Sequence, residues 1–121
     1  MQKLAPREEE IMLILWRLEK AFVKEIVEEF PEPKPHYNSI STMVRILEDK
    51  GFVGHRAFGR THQYYPIITQ DAYTNLEVED VVGKYFDSSF SKMISHFAKK
   101  EKVSSGELEE ILRMIKKREE K

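Results

Sequence analysis

Asn38, Ser41, Thr42, Arg45 and Asp49 fall on one side of a stretch whose apolar residues fall on the other. Successive helical residues turn by about 100°. With Ile40 as origin, Met43, Val44 and Leu47 lie within roughly 60° of it, and the polar set lies between roughly 100° and 200°. One face therefore carries a side-chain amide, two hydroxyls and a guanidinium within two turns. Such groups suit nucleic acid. Short amides and hydroxyls bond to base edges and phosphates, and arginine pairs with a guanine edge or a phosphate. Ser39, Ser41 and Thr42 are also poor helix formers, and a face that needed only solubility would be better served by Glu, Lys or Ala. Further on, Arg56, Arg60, Thr61 and His62 surround a Gly59-Arg60 turn. A turn of that kind can lay cations along a phosphate backbone or into a minor groove. The plainer alternative is a solvated helix face and a solvated turn.

These positions need elements to hold them. Pro6 followed by Glu8, Glu9 and Glu10 predicts a helix start, because proline tolerates the first turn and acids favour the positive end of the helix dipole. Ile11, Ile14, Leu15 and Leu18 then give an apolar face. Val23, Ile26, Val27 and Phe30 predict a short second helix, stopped by Pro31-Glu32-Pro33-Lys34-Pro35. A third helix is predicted over residues 38–50, capped by Asn38 or Ser39 and stopped at Gly51. Phe52 to Phe58 and His62 to Ile67 predict a hairpin. Trp16 is expected to anchor the core between the first and third helices.

After Thr69 the pattern is helical again. The stripes are Val78, Val81, Val82 and Tyr85, then Phe86, Phe90, Met93, Ile94 and Phe97, then Leu108, Ile111, Leu112 and Ile115. Ser104-Ser105-Gly106-Glu107 fits a capping box before the last of them. The expected fold is mainly α. An N-terminal winged helix-turn-helix with a two-stranded wing covers residues 1–69, and a three-helix dimerisation region covers residues 70–121. A three-helix annex of about 50 residues is marginal alone. A homodimer is therefore expected, joined through Val78, Val81, Val82, Tyr85, Phe90, Ile94, Leu108, Ile111, Leu112 and Ile115.

The chain has 121 residues, with 20 basic and 21 acidic side chains, for a net charge of −1. Taken alone, that total argues against a nucleic-acid partner. By segment it resolves into −3 over residues 1–32, +3 over 33–70 and −1 over 71–121. The positive segment holds the polar helix face and the turn. The absence of cysteine excludes disulfides, thiolate metal sites and a cysteine nucleophile. The longest purely apolar run, Ile11 to Trp16, is too short for a bilayer. No basic-then-apolar signal opens the chain, so a cytoplasmic location is expected. Without a phosphate loop, a G-x-S-x-G elbow or an H-E-x-x-H helix, no enzyme is expected. No cofactor is expected either. His55 and His62 on facing strands lack placed carboxylates and make a thin metal site, so none is assigned.

The run from Tyr37 to Gly51, Tyr-Asn-Ser-Ile-Ser-Thr-Met-Val-Arg-Ile-Leu-Glu-Asp-Lys-Gly, resembles the recognition-helix signature of the penicillinase repressor family, the BlaI/MecI type. Gly59-Arg-Thr-His-Gln-Tyr-Tyr-Pro66 is similar to its wing. Leu4 to Trp16 and Ile94 to Ile111 are similar to further parts of those repressors, so the resemblance covers essentially the whole chain. It implies a dimeric winged-helix repressor, associated in the family with antibiotic resistance, that binds double-stranded DNA at an inverted-repeat operator. Carried over, groove reading would fall to Asn38, Ser39, Ser41, Thr42 and Arg45, and wing contacts to Arg60 and its neighbours Arg56, Thr61 and His62. It also implies inactivation by proteolysis in the C-terminal region, triggered by a membrane sensor metallopeptidase. The corresponding bond is His96–Phe97, where several relatives have Asn in place of His96. Two other readings compete: a winged helix that binds protein, and a regulator that senses a small ligand or metal without proteolysis.

Overall fold

The computed structural model describes residues 3–119. Helix α1 spans Pro6–Leu18, a short strand β1 Ala21–Phe22, α2 Val23–Glu28 and α3 Tyr37–Asp49. Strands β2 (Val53–Phe58) and β3 (Thr61–Pro66) follow, then α4 (Gln70–Tyr85), α5 (Phe90–Lys99) and α6 (Ser105–Glu119). The chain divides into two compact units, residues 1–74 and 75–121, with the division inside α4.

Local chemistry sets the helix ends. At the start of α1 the Ala5 N–H donates to Glu8 Oε1 at 2.8 Å, and before α2 the Phe22 N–H donates to Glu25 Oε1 at 2.8 Å. The proline connector is held by Lys34, whose Nζ donates to the carbonyls of Glu28 and Phe30 at 2.8 and 2.7 Å. Those carbonyls would otherwise lack partners at the end of α2. Helix α3 ends as expected at Gly51, which takes φ 84°. Phe52 N–H returns to Leu47 O and Gly51 N–H to Glu48 O, the Schellman pattern. Its start differs from expectation. The N-cap is His36, with no side-chain cap bond, so neither Asn38 nor Ser39 caps the helix. Both hydroxyl and amide are thereby left on the exposed first turns.

The hairpin is present, in the register Val53↔Pro66 to Phe58↔Thr61, with Gly59 at φ 62° in its two-residue turn. A glycine with positive φ at the first turn position lets the turn twist match the strands. The sheet has a third strand that the sequence did not suggest. β1 pairs with β3 through Ala21↔Tyr64 and Phe22↔Gln63, giving the order β1-β3-β2. Two residues carry no periodicity, so only pairing with β3 defines this strand.

The core of the first unit joins Ile11, Met12 and Leu15 of α1, Ile26 of α2, Ile40, Val44 and Leu47 of α3, and Val53 of β2. Each is less than 2% exposed. Glu8 is buried among them and accepts from Lys50 Nζ at 3.0 and 3.1 Å. Burial pushes its carboxyl up, but the Ala5 N–H and the Lys50 ammonium outweigh that and hold its pKa below the ordinary value. Trp16 packs against this core from its margin. It is half-buried, its indole N–H donates to Ile68 O at 2.9 Å, and its ring lies 5.7 Å from that of Tyr73. Tyr73 also contacts Phe52 edge-on and donates to Glu9 Oε2 at 3.1 Å. These bonds draw the first turn of α4 into the first unit.

In the second unit the Ser104–Glu107 capping box forms as expected. Ser104 N–H donates to Glu107 Oε1 and Glu107 N–H to Ser104 Oγ, both at 3.1 Å. Asp87 and Ser88, both at positive φ, separate α4 from α5, and Ser89 Oγ caps α5 by accepting from Lys92 N–H.

Candidate nucleic-acid interface

Helix α3 buries Ile40, Val44 and Leu47 and turns Asn38, Ser39, Thr42 and Arg45 to solvent, with Ser41 half-buried at the margin. Two side chains are already braced. Thr42 Oγ1 donates to the Asn38 carbonyl at 2.9 Å, and Arg45 Nη2 donates to Ser41 Oγ at 3.3 Å, one helical turn back in each case. The Ser41 contact lays the Arg45 guanidinium along the outer face of α3.

Register decides where the wing residues point. His62 stands opposite Ala57, so strand alternation puts His55, His62 and Tyr64 on one face and Arg56 on the other. The rings of His55 and His62 stack with centroids 4.1 Å apart and 7° between planes. His55 Nδ1 meets Glu48 Oε2 at 2.5 Å, which ties the end of α3 to the wing. Arg56 lies over the Phe58 ring at 5.2 Å. Thr61 Oγ1 donates to the Phe58 carbonyl at 2.9 Å and steadies the turn.

Ser41, Arg45, Arg60, Thr61 and His62 meet around one concave site of about 450 Å³. Asn38, Ser39, Thr42 and Arg56 do not line it. Lys24 of α2 and Tyr37 of α3 do, and sequence reasoning did not select them. Tyr37 opens the run that resembles the family's recognition helix, with no role assigned to it there. Lys24 belongs to no motif, and only folding brings α2 beside the wing. Tyr64 closes the floor at 4% exposure. Burial first, and then the Glu48 carboxylate, raise its phenol pKa above the ordinary value, while Arg45 pulls the other way. Among the described residues Lys24, Arg45 and Arg60 take part in no ion pair with a carboxylate. Three cations without a carboxylate partner on one concave face can hold an anion.

The residues expected at a dimer surface occupy the second unit. Val81, Tyr85, Phe90, Ile94, Ile111, Leu112 and Ile115 are exposed, Tyr85 by 73% and Leu112 by 50%. Val78 and Leu108 are half-buried. Val82 differs from the rest: at 1% exposure it lies inside the protomer and has no surface to offer a partner. The His96–Phe97 bond lies within α5, where both rings contact Phe86 at centroid distances of 5.4 and 6.3 Å. Among the described residues no group of three or more His, Asp or Glu side chains is arranged to hold a metal, and no helix is long and apolar enough to cross a membrane.

The sequence model of the penicillinase repressor family matches residues 4–117. Among known proteins, the methicillin resistance regulatory protein MecI of Staphylococcus aureus is 25% identical over 117 residues, which is 96% of this chain and 95% of MecI. A penicillinase repressor of Bacillus licheniformis is 21% identical over 114 residues, covering 93% of this chain and 89% of that one. The solution structure of the DNA-binding domain of the repressor BlaI superposes with a TM-score of 0.51 at 27% identity, covering 60% of this chain and 94% of that domain.

Proposed function

The chain belongs to the penicillinase repressor family, and from that premise we propose that it is a DNA-binding transcriptional repressor acting as a homodimer on an inverted-repeat operator. The observation that carries this reading is the convergence of α3 and the wing. Arg45, braced by Ser41, and Arg60 and His62 at the wing flank one concave, cation-rich face. In this reading α3 enters the major groove, Asn38, Ser39, Ser41, Thr42 and Arg45 face base edges, and the wing holds phosphates. Lys24 joins the phosphate contacts.

Dimerisation belongs to the exposed apolar stripes of α4 to α6, which have the i, i+3, i+4 spacing of a helical interface. Joining two modest half-site contacts through one dimer raises affinity by effective concentration, which suits a chain of net charge −1. Cleavage at His96–Phe97 by a protease responding to a membrane sensor would remove the end of α5 and all of α6, and with them much of that stripe. The bond lies in a helix, so α5 must open locally before a protease can bind it.

The test is a gel shift with the DNA upstream of the gene at two salt concentrations, against random duplex. Repression by operator binding requires a preference for the upstream DNA and a steep loss of affinity with salt. Equal shifts on both duplexes at both salt levels refute it.

A further inference from the structure

The concave site on the reading face has a composition that phosphate contact alone does not require. Lys24, Arg45 and Arg60 supply positive charge around it, and the one carboxylate on its wall, Glu25, already accepts the Phe22 N–H. Phe22, Tyr37 and Tyr64 add three aromatic rings. A phosphodiester needs cations and amides, whereas rings beside cations fit a ligand that is both flat and anionic. The volume of about 450 Å³ lies in the range, on the order of 300–1,000 Å³, that small-molecule sites occupy. Tyr64 is buried and α3 and β3 are core elements, so the walls exist before any ligand arrives.

We propose that this pocket binds a small aromatic carboxylate, and that its occupation excludes the duplex; the second half rests on the DNA-binding reading above. The carboxylate pairs with Arg45 and Lys24 while the ring lies against Tyr37. Since Arg45 is assigned to base reading, a ligand that engages it withdraws it from the groove. Repression would then respond directly to a metabolite anion, without a cut in α5.

Calorimetric titration of the full chain with 2-naphthoate tests the pocket. One saturable site per chain is expected, with binding about tenfold weaker or worse for neutral 2-naphthamide, for Lys24→Glu and for Tyr37→Ala. Circular dichroism melts check that both variants fold, and Lys24 is exposed, so its substitution leaves the core intact. Absence of saturable heat at millimolar probe, equal binding of the amide, or affinity unmoved by both substitutions overturns the proposal. Inorganic phosphate that displaces naphthoate at equal concentration also overturns it, in favour of a phosphodiester seat. In the gel shift, naphthoate should release the upstream duplex over the same concentrations that fill the pocket; a complex that persists at saturation overturns the exclusion. A chain that binds naphthoate but never shifts DNA keeps the pocket, and removes the exclusion together with the repressor reading.

Discussion

Up to Thr74 most of the large apolar side chains of this protein turn inward, and beyond it most of them turn outward. The first unit gathers sixteen buried residues from α1 to α3, the first turn of α4, the sheet and the segments between them into one cluster. Past Tyr73, Val82 stands alone as a buried apolar residue among those described. Tyr85, Leu112 and Met114 are each at least half exposed. The difference lies in geometry rather than composition. Helices packed on a sheet enclose a volume, whereas the stripes of α4 to α6, Val82 apart, remain open surface. The first unit encloses a core of its own, and the second leaves its apolar stripes on the surface.

Four substitutions break or sharpen that contrast. Ile111→Glu should have the largest effect, because it would bury an unpaired charge at the proposed interface, at a cost of about 3–5 kcal/mol. Sedimentation should report monomer, while Trp16 fluorescence, which reports the first unit, should show an unchanged urea midpoint. A persisting dimer would show that the stripes do something else. Leu47→Ala should do the reverse. The fully buried side chain leaves a cavity costing about 2–5 kcal/mol, seen as an earlier Trp16 unfolding transition, and the contrast fails if the transition does not move.

Arg45→Ala should weaken binding to the upstream DNA by about 1–3 kcal/mol with no change in melting temperature. A loss of equal size on random duplex would reassign Arg45 from bases to phosphates. The smallest effect is a slope. Glu8 has a folded pKa below its ordinary value of 4.5. Its contribution is therefore complete above the unfolded pKa and is lost as pH falls through the folded one. Glu8→Gln should flatten the acid limb of a stability–pH curve for the first unit, and an unchanged limb would show that the Lys50 pair adds nothing.

Much of this was legible in sequence. The i, i+3, i+4 spacing of Ile40, Met43, Val44 and Leu47 located α3 and its outer face, since helical periodicity is a local property. Gly51 and Gly59 marked a helix end and a hairpin turn because both positions take positive φ. The Ser104–Glu107 box was readable for the same reason, its two bonds spanning four residues. By contrast, β1 depends on Tyr64 and Gln63, some forty residues away, and a strand defined by its partner leaves no local trace. Nothing near Trp16 in sequence marks its Ile68 and Tyr73 partners, which lie beyond the wing. Val82 belonged to a stripe by spacing, but spacing cannot tell the protomer's interior from an interface.

By itself, then, the sequence determined the helices, the hairpin, the polar face of α3 and the positive middle segment, because each follows from neighbours within a few turns. Only the tertiary structure decided that Lys24 and Tyr37 share a concave site with Arg45 and Arg60, that Arg56 faces away from it, and that the rings of His55 and His62 stack. Those outcomes depend on strand register and on how α2 and α3 pack against the sheet. Both are set by burying one common core, a cooperative condition that no single segment carries.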